Sequence, residues 1–327
     1  MASTDERSIP APRIHGVRWL RRVLLISLLA VGFFVAAGTS YEYISAHKVE
    51  QNHTPIGHLV DVGGKQMHIY CVGQGSPAVV FVSGLGEAYE SWSKVQGEVG
   101  KTSRSCSYDR PGLGWSDRRP GPRDVATMVA ELHDLLRASE VEPPYVLVGH
   151  SLGGGVVRVF AGRYPQEVSG LVMVDAIHPE FLKRMALDAW DENMLRTAKR
   201  MQWLAPVGIA RLEGMCVIDN RPLVHCADLW RTLVAEREAL PSSARQVGEV
   251  WSVGNIPLVV LSRDPDPAVG WGSPENRTAW DQMQSELPSI STRGRRTMVK
   301  GATHYIQEDH PEVVTQTILG MLADARR

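Results

Sequence analysis

Apolar and polar positions follow one another in blocks along this chain, and the blocks differ in period. The first is "VLLISLLAVGFFVAAGTSY", Val23 to Tyr41, which carries no charge and no periodicity. At ~1.5 Å per residue, a helix of that length crosses the roughly 30 Å hydrocarbon core of a bilayer. Residues 42–56 are polar and aperiodic and read as a linker. Beyond them, runs of strand length recur around His58–Val62, Gln66–Gly73, Ala78–Gly84, Ser103–Arg110, Tyr145–His150, Val168–Ala176 and Ile256–Asp264, and in "RRTMVKG" from Arg295. Helical patterns separate them. Val125, Met128, Val129, Leu132, Leu135 and Leu136 recur at three- and four-residue steps, which predicts a helix from Asp124 to about Ala138. A second helix follows Ser151 and ends before Pro165, and a last one runs from Pro311 to about Ala325.

Strands that are apolar throughout, alternating with helices, predict a mostly parallel sheet covered on both faces, a three-layer α/β sandwich. Residues 178–250 break the alternation. They hold Leu, Met, Trp and Ala at helical spacing with no strand pattern, and read as a helical lid inserted over the sheet's edge. The chain therefore divides into a cytoplasmic segment (1–22), a transmembrane anchor (23–41), a linker (42–56) and one globular domain (57–325) with its lid at 178–250.

Charge orients the first block. Arg13, Arg18, Arg21 and Arg22 precede it, whereas Tyr41, Glu42 and Tyr43 close it, which puts the N-terminus in the cytoplasm and the domain outside. The small residues of "VAAG" (Val35–Gly38) leave a cleaved signal peptide as the rival reading. Composition adds little else: 43% hydrophobic and 22% charged residues belong to a folded globular chain. A formal net charge of −1 supplies no drive toward nucleic acid. The four cysteines, Cys71, Cys106, Cys216 and Cys226, form no CxxC and no zinc-type spacing with histidine. An oxidising compartment would let them pair. With no dinucleotide-binding glycine fingerprint, P-loop or HExxH, neither a cofactor nor a metal is indicated.

The candidate chemistry begins at "YVLVGHSLGG", Tyr145 to Gly154, which satisfies G-x-S-x-G with Gly149, Ser151 and Gly153. A serine on a sharp turn between strand and helix needs neighbours without side chains at two residues' distance, or the turn cannot close. The helix that follows directs N–H groups and partial positive charge toward the serine oxygen. Ser151 is thus a candidate nucleophile, and a serine hydroxyl needs a base with a pKa near the working pH. His304, in a Gly-Ala-Thr loop after a strand, is the candidate base; His150 reads as a packing residue and His310 as the start of the last helix.

Three further stretches, "VVFVSGLG", "YDRPGLGWSD" (Tyr108–Asp117) and "GATHYIQEDHPEVV" (Gly301–Val314), complete a resemblance to the α/β-hydrolase-fold superfamily, in its esterase/lipase-like form with a helical lid. The resemblance covers about Gly57 to Ala325. It implies an eight-stranded sheet and a serine hydrolase acting on an ester or related acyl bond of a small molecule, and the apolar content of the lid points to a hydrophobic acyl group. It also implies Ser151 as nucleophile, His304 as base and the N–H groups of Leu85 and Leu152 as oxyanion hole. Ser83 stands where the family usually has His, which leaves the backbone role intact. The triad acid follows a strand: Asp264 stands at the end of the strand after the lid, Asp266 fits a count from Pro257, and Asp175, at the preceding strand's end, is the third choice. In this architecture the second strand lies antiparallel beside the fourth, so Cys71–Cys106 and, within the lid, Cys216–Cys226 are the expected bridges. A hydrolase-fold binding protein without activity, or an acyltransferase or haloperoxidase on the same triad, are the alternatives.

Overall fold

Successive residues of a strand point to opposite faces, so a strand apolar at every position needs cover on both sides. The computed structural model, which describes residues 14–185, 189–218, 221–266, 268–269 and 272–326, shows how this chain supplies it. Eight strands, β1 (His58–Asp61), β2 (Gln66–Val72), β3 (Ala78–Val82), β4 (Ser105–Tyr108), β5 (Tyr145–His150), β6 (Val168–Val174), β7 (Leu258–Ser262) and β8 (Gly294–Met298), form one sheet. Its order is β1-β2-β4-β3-β5-β6-β7-β8. β2 runs antiparallel to β1 and β4, and the remaining pairs are parallel.

Val80, Val82, Leu147, Leu171, Met173, Leu258 and Val260 pack into one core with α3 (Val125–Ala138) and α4 (Leu152–Arg163). Their neighbours Val79, Phe81, Val146, Val148, Val172, Val174, Val259 and Leu261 pack into the other, against α2 (Ser93–Gly100) and α9 (Pro311–Ala325). Each such side chain contributes roughly 1.5–3 kcal/mol of burial. The predicted stripe of α3 is buried in full, and Asp124 caps the helix by accepting the Thr127 N–H at 3.0 Å, an interaction worth about 1 kcal/mol.

The N-terminal block is a single helix, α1 (Ile14–Asn52), long and apolar enough to cross a membrane, with residues 18–37 exposed. It runs on through most of the segment expected to be a linker. The reason is local: no glycine or proline falls between Gly38 and Pro55, and Glu42, Ala46, Lys48, Glu50 and Gln51 are good helix formers. The continuation docks on the lid, where the Glu42 carboxylate takes the Nε and Nη2 of Arg211, each at 2.8 Å.

The lid contains α5 (Ala189–Leu204), α6 (Cys226–Glu238) and α7 (Leu240–Glu249). It has a small core of its own, made of Met201, Ala205, Ala210, Cys216 and Cys226. Two two-residue strands, Val217–Ile218 and Arg221–Pro222, pair within it, too short to leave a periodic signal. Disulfides join Cys71 to Cys106, register partners on β2 and β4, and Cys216 to Cys226. The carboxyl ends of β3, β5, β6 and β7 lie along one edge of the sheet, the edge at which open parallel sheets present their sites.

Candidate active site

The turn between β5 and α4 is as tight as its glycines suggest. A Cβ on Gly149 would collide with the carbonyl of Gly153, and one on Gly153 with that of Val82. Ser151, between them, sits at φ 51° and ψ −117°, a left-handed conformation that costs a non-glycine residue of order 1–3 kcal/mol. The surroundings hold it there. Its N–H donates to Val174 at 3.0 Å, and its carbonyl accepts from Gly154 and Ile177, each at 3.0 Å. Leu152 opens α4, so its N–H precedes any acceptor within the helix.

The Val174 contact brings the next residue, Asp175, to the strand end adjacent to Ser151. Asp175 also has a positive φ, 42°, and is fully buried. One of its carboxylate oxygens meets Nδ1 of His304 at 2.6 Å; the other accepts from the Trp280 indole at 2.9 Å and the Arg263 N–H at 3.1 Å. Burial alone would raise its pKa, but the His304 hydrogen bond and charge, Arg263 and Trp280 hold it below the ordinary carboxylate range. Trp280 comes from α8 (Pro274–Glu286), an element with no counterpart in the sequence reading.

The carboxylate beside His304 is therefore Asp175, the third of the three acids the sequence offered, and not Asp264 or Asp266. Asp264 is only partly buried and turns to the backbone, accepting from Gly301 at 2.8 Å and Asp266 at 2.9 Å. Asp266 is exposed and accepts the Ala268 N–H at 2.8 Å. After β7 the chain turns outward at Pro265, carrying both carboxylates toward solvent.

His150 is more than packing. Its ring lies between two acceptors, the Glu87 carboxylate at 3.0 Å from Nδ1 and the His304 carbonyl at 2.9 Å from Nε2. An imidazolium at His150, donating from both ring nitrogens, satisfies both acceptors at once. Burial opposes this, yet Glu87 and the His304 carbonyl raise its pKa, while the Glu87 carboxyl is held low despite its own burial. The His150 and His304 rings are 4.6 Å apart. His304 consequently has a lowered pKa: burial is the main cause, His150 adds to it, and Asp175 opposes it.

The loop after β3 is tied from two sides. Glu87 accepts the Gly84 N–H at 3.0 Å. Arg110, buried in the "YDRPGLGWSD" loop, donates to the carbonyls of Ser83 at 2.7 Å and Gly84 at 2.6 Å. It also makes a two-point ion pair with Glu236 of α6, at 2.7 and 3.0 Å, and Glu236 accepts the Gly86 N–H at 3.1 Å. The lid helix thus reaches the loop that bears Leu85. Asp109 holds the Arg110 loop in shape by accepting from the N–H groups of Tyr89 and Trp115, at 2.8 and 3.0 Å. Among the described residues, no group of three or more His, Cys, Asp or Glu is disposed to hold a metal ion.

Residues 77–207 match the family model for the alpha/beta hydrolase fold. The chain is 29% identical over 244 residues to an uncharacterised protein of Schizosaccharomyces pombe, covering 71% of this chain but only 43% of that one. It is 36% identical over 138 residues to a 2-hydroxy-6-oxo-2,4-heptadienoate hydrolase of Pseudomonas putida, covering 41% of this chain and 49% of that one. The chain thus spans less than half the length of these two relatives. Among solved structures, a putative ancestral haloalkane dehalogenase superposes with a TM-score of 0.62 at 18% identity, over 82% of this chain and 99% of that one. Family model, sheet order and superposition agree on the architecture: the chain adopts the α/β-hydrolase fold.

Proposed function

We propose that the protein is a membrane-anchored serine hydrolase that cleaves an ester or related acyl bond through Ser151, His304 and Asp175. The observation that carries the reading is the 2.6 Å contact between His304 and a fully buried Asp175, one strand away from a serine in a strained elbow. With Nδ1–H given to Asp175, Nε2 is the nitrogen that carries a lone pair. It takes the Ser151 proton as Oγ attacks the substrate carbonyl carbon, then returns that proton to the leaving group. The acyl-enzyme on Ser151 is released by water activated in the same way, and Asp175 stabilises the imidazolium in both halves. The N–H groups of Leu85 and Leu152 receive the oxyanion, and loss of one such donor typically costs ~3 kcal/mol.

The anchor reading rests on the apolar run of α1, the arginines before it and two disulfides after it, which suit an oxidising exterior. A second reading uses the same residues. The Pseudomonas putida relative is named for hydrolysis of 2-hydroxy-6-oxo-2,4-heptadienoate, so carbon–carbon cleavage of such a compound is the alternative to ester cleavage.

The test is covalent labelling of the folded, full-length protein with a fluorophosphonate. A stoichiometric adduct on Ser151, lost in Ser151→Ala, is expected. Folded protein without an adduct would overturn the hydrolase reading. Turnover of p-nitrophenyl esters of increasing acyl length, beside the dienoate, separates the two substrate classes.

A further inference from the structure

The apolar run of α1 ends at Tyr41, and the lid begins to touch the helix at that level. A Cβ on Gly38 would collide with the carbonyl of Val207, and the Tyr41 ring stands against Gly208. One residue on, Glu42 is buried at 8% exposure in its two-point pair with Arg211. Arg211 in turn donates to the Leu223 carbonyl at 3.1 Å, so the pair reaches into the lid. These contacts pin the lid corner around residues 205–212 to the last turn of the apolar run, within about 6 Å of its end along the axis.

That corner carries large apolar side chains facing outward. Trp203 is 76% exposed and Leu212 70% exposed, each four residues along the chain from the Gly38–Tyr41 contact. Tyr43 and Ile44, on the turn of α1 beyond the run, are exposed as well. A single exposed Trp or Leu is ordinary on a soluble surface. Four such side chains within four residues of the contacts where the apolar run ends suit the layer that favours tryptophan and tyrosine.

We propose that this lid corner rests in the headgroup layer of the bilayer that α1 crosses, with Trp203 and Leu212 inserted among the lipids. The occupant is the lipid surface because the face continues directly from the membrane-crossing helix. The inference rests on the anchor reading above and goes beyond it, since an anchor alone would leave the domain free of the surface.

The four native cysteines are paired, so an introduced thiol is unique and can carry an environment-sensitive nitrobenzoxadiazole label. Trp203→Cys, Leu212→Cys and, as a control, Trp251→Cys (82% exposed, in the segment leading into β7) would be labelled in the full chain. Each is reconstituted in phosphatidylcholine vesicles with or without a lipid carrying a nitroxide quencher near its headgroup. The expected result is blue-shifted, strongly quenched emission at 203 and 212 and unquenched emission at 251. Protein that floats with the vesicles but is unquenched at all three sites overturns the docking while leaving the anchor. Equal quenching at all three sites overturns it too, since the lid corner would then hold no special position. Failure to float removes the anchor reading, and the docking with it.

Discussion

β6 and β7 lie side by side, and each is followed directly or one residue later by an aspartate, yet the two carboxylates meet different surroundings. Asp175 is fully buried, with its oxygens taken by His304, Trp280 and the Arg263 backbone. Asp264 faces the surface and binds the backbone of Gly301 and Asp266. A buried carboxylate can hold a histidine in one tautomer and feel its charge at low dielectric; one in water does neither well. Asp264 still serves the same loop, because Gly301 lies three residues before His304. The difference is between orienting the imidazole and bracing the loop that carries it.

Replacing each acid is the sharpest attack on that contrast. Asp175→Asn should lower kcat on a p-nitrophenyl ester by about 10⁴-fold, through loss of the charge and the correct tautomer. If Asp264→Asn showed the larger loss, the assignment would be reversed. Trp280→Phe removes one donor from the buried carboxylate. A hydrogen bond to a charged group is worth about 1.5–3 kcal/mol, so a drop in kcat of roughly ten- to a hundredfold is expected, with KM little changed.

His150→Gln probes the other neighbour of His304. In the proposed reaction activity requires neutral His304 and is lost as pH falls through its pKa, which a charge on His150 helps to depress. Removing that charge raises the His304 pKa, so the acid limb of the kcat/KM profile should move to higher pH; an unmoved limb would show that the imidazolium is not felt. The smallest effect belongs to Asp264→Ala. Loss of two exposed backbone contacts should lower Tm by about 1–3 °C in a thermal melt and kcat by less than roughly threefold.

Much of this was legible in the sequence because it follows from period and steric need. Fully apolar runs such as Ala78–Val82 announce strands covered on both faces, and glycines flanking Ser151 announce a turn that admits no Cβ. The acid was harder. "VMVDAI" places Asp175 between an apolar strand and Ala-Ile, a setting that already says buried, whereas "SRDPDP" surrounds Asp264 with arginine, prolines and a second acid, a setting that says solvent. Strand order alone does not weigh these contexts. Trp280 and Glu236 were beyond reach for another reason, since each meets its partner across more than a hundred residues, through helices of weak periodicity. The Glu87–His150 pair was hidden likewise: His150 fills a variable position of its motif, Glu87 belongs to no pattern, and only the sheet brings β3 and β5 together.

Arg110 has a further consequence. Its guanidinium grips the oxygen of the peptide unit that joins Gly84 to Leu85, and the hydrogen of that same unit is the Leu85 N–H. An amide is a conjugated system, so positive charge at its oxygen draws electron density from its nitrogen and leaves the hydrogen a stronger donor. The arginine thereby delivers part of its charge by induction through a single flat group of atoms, while the guanidinium itself stays buried behind the loop. An anion bound at Leu85 would feel a cation that it never touches.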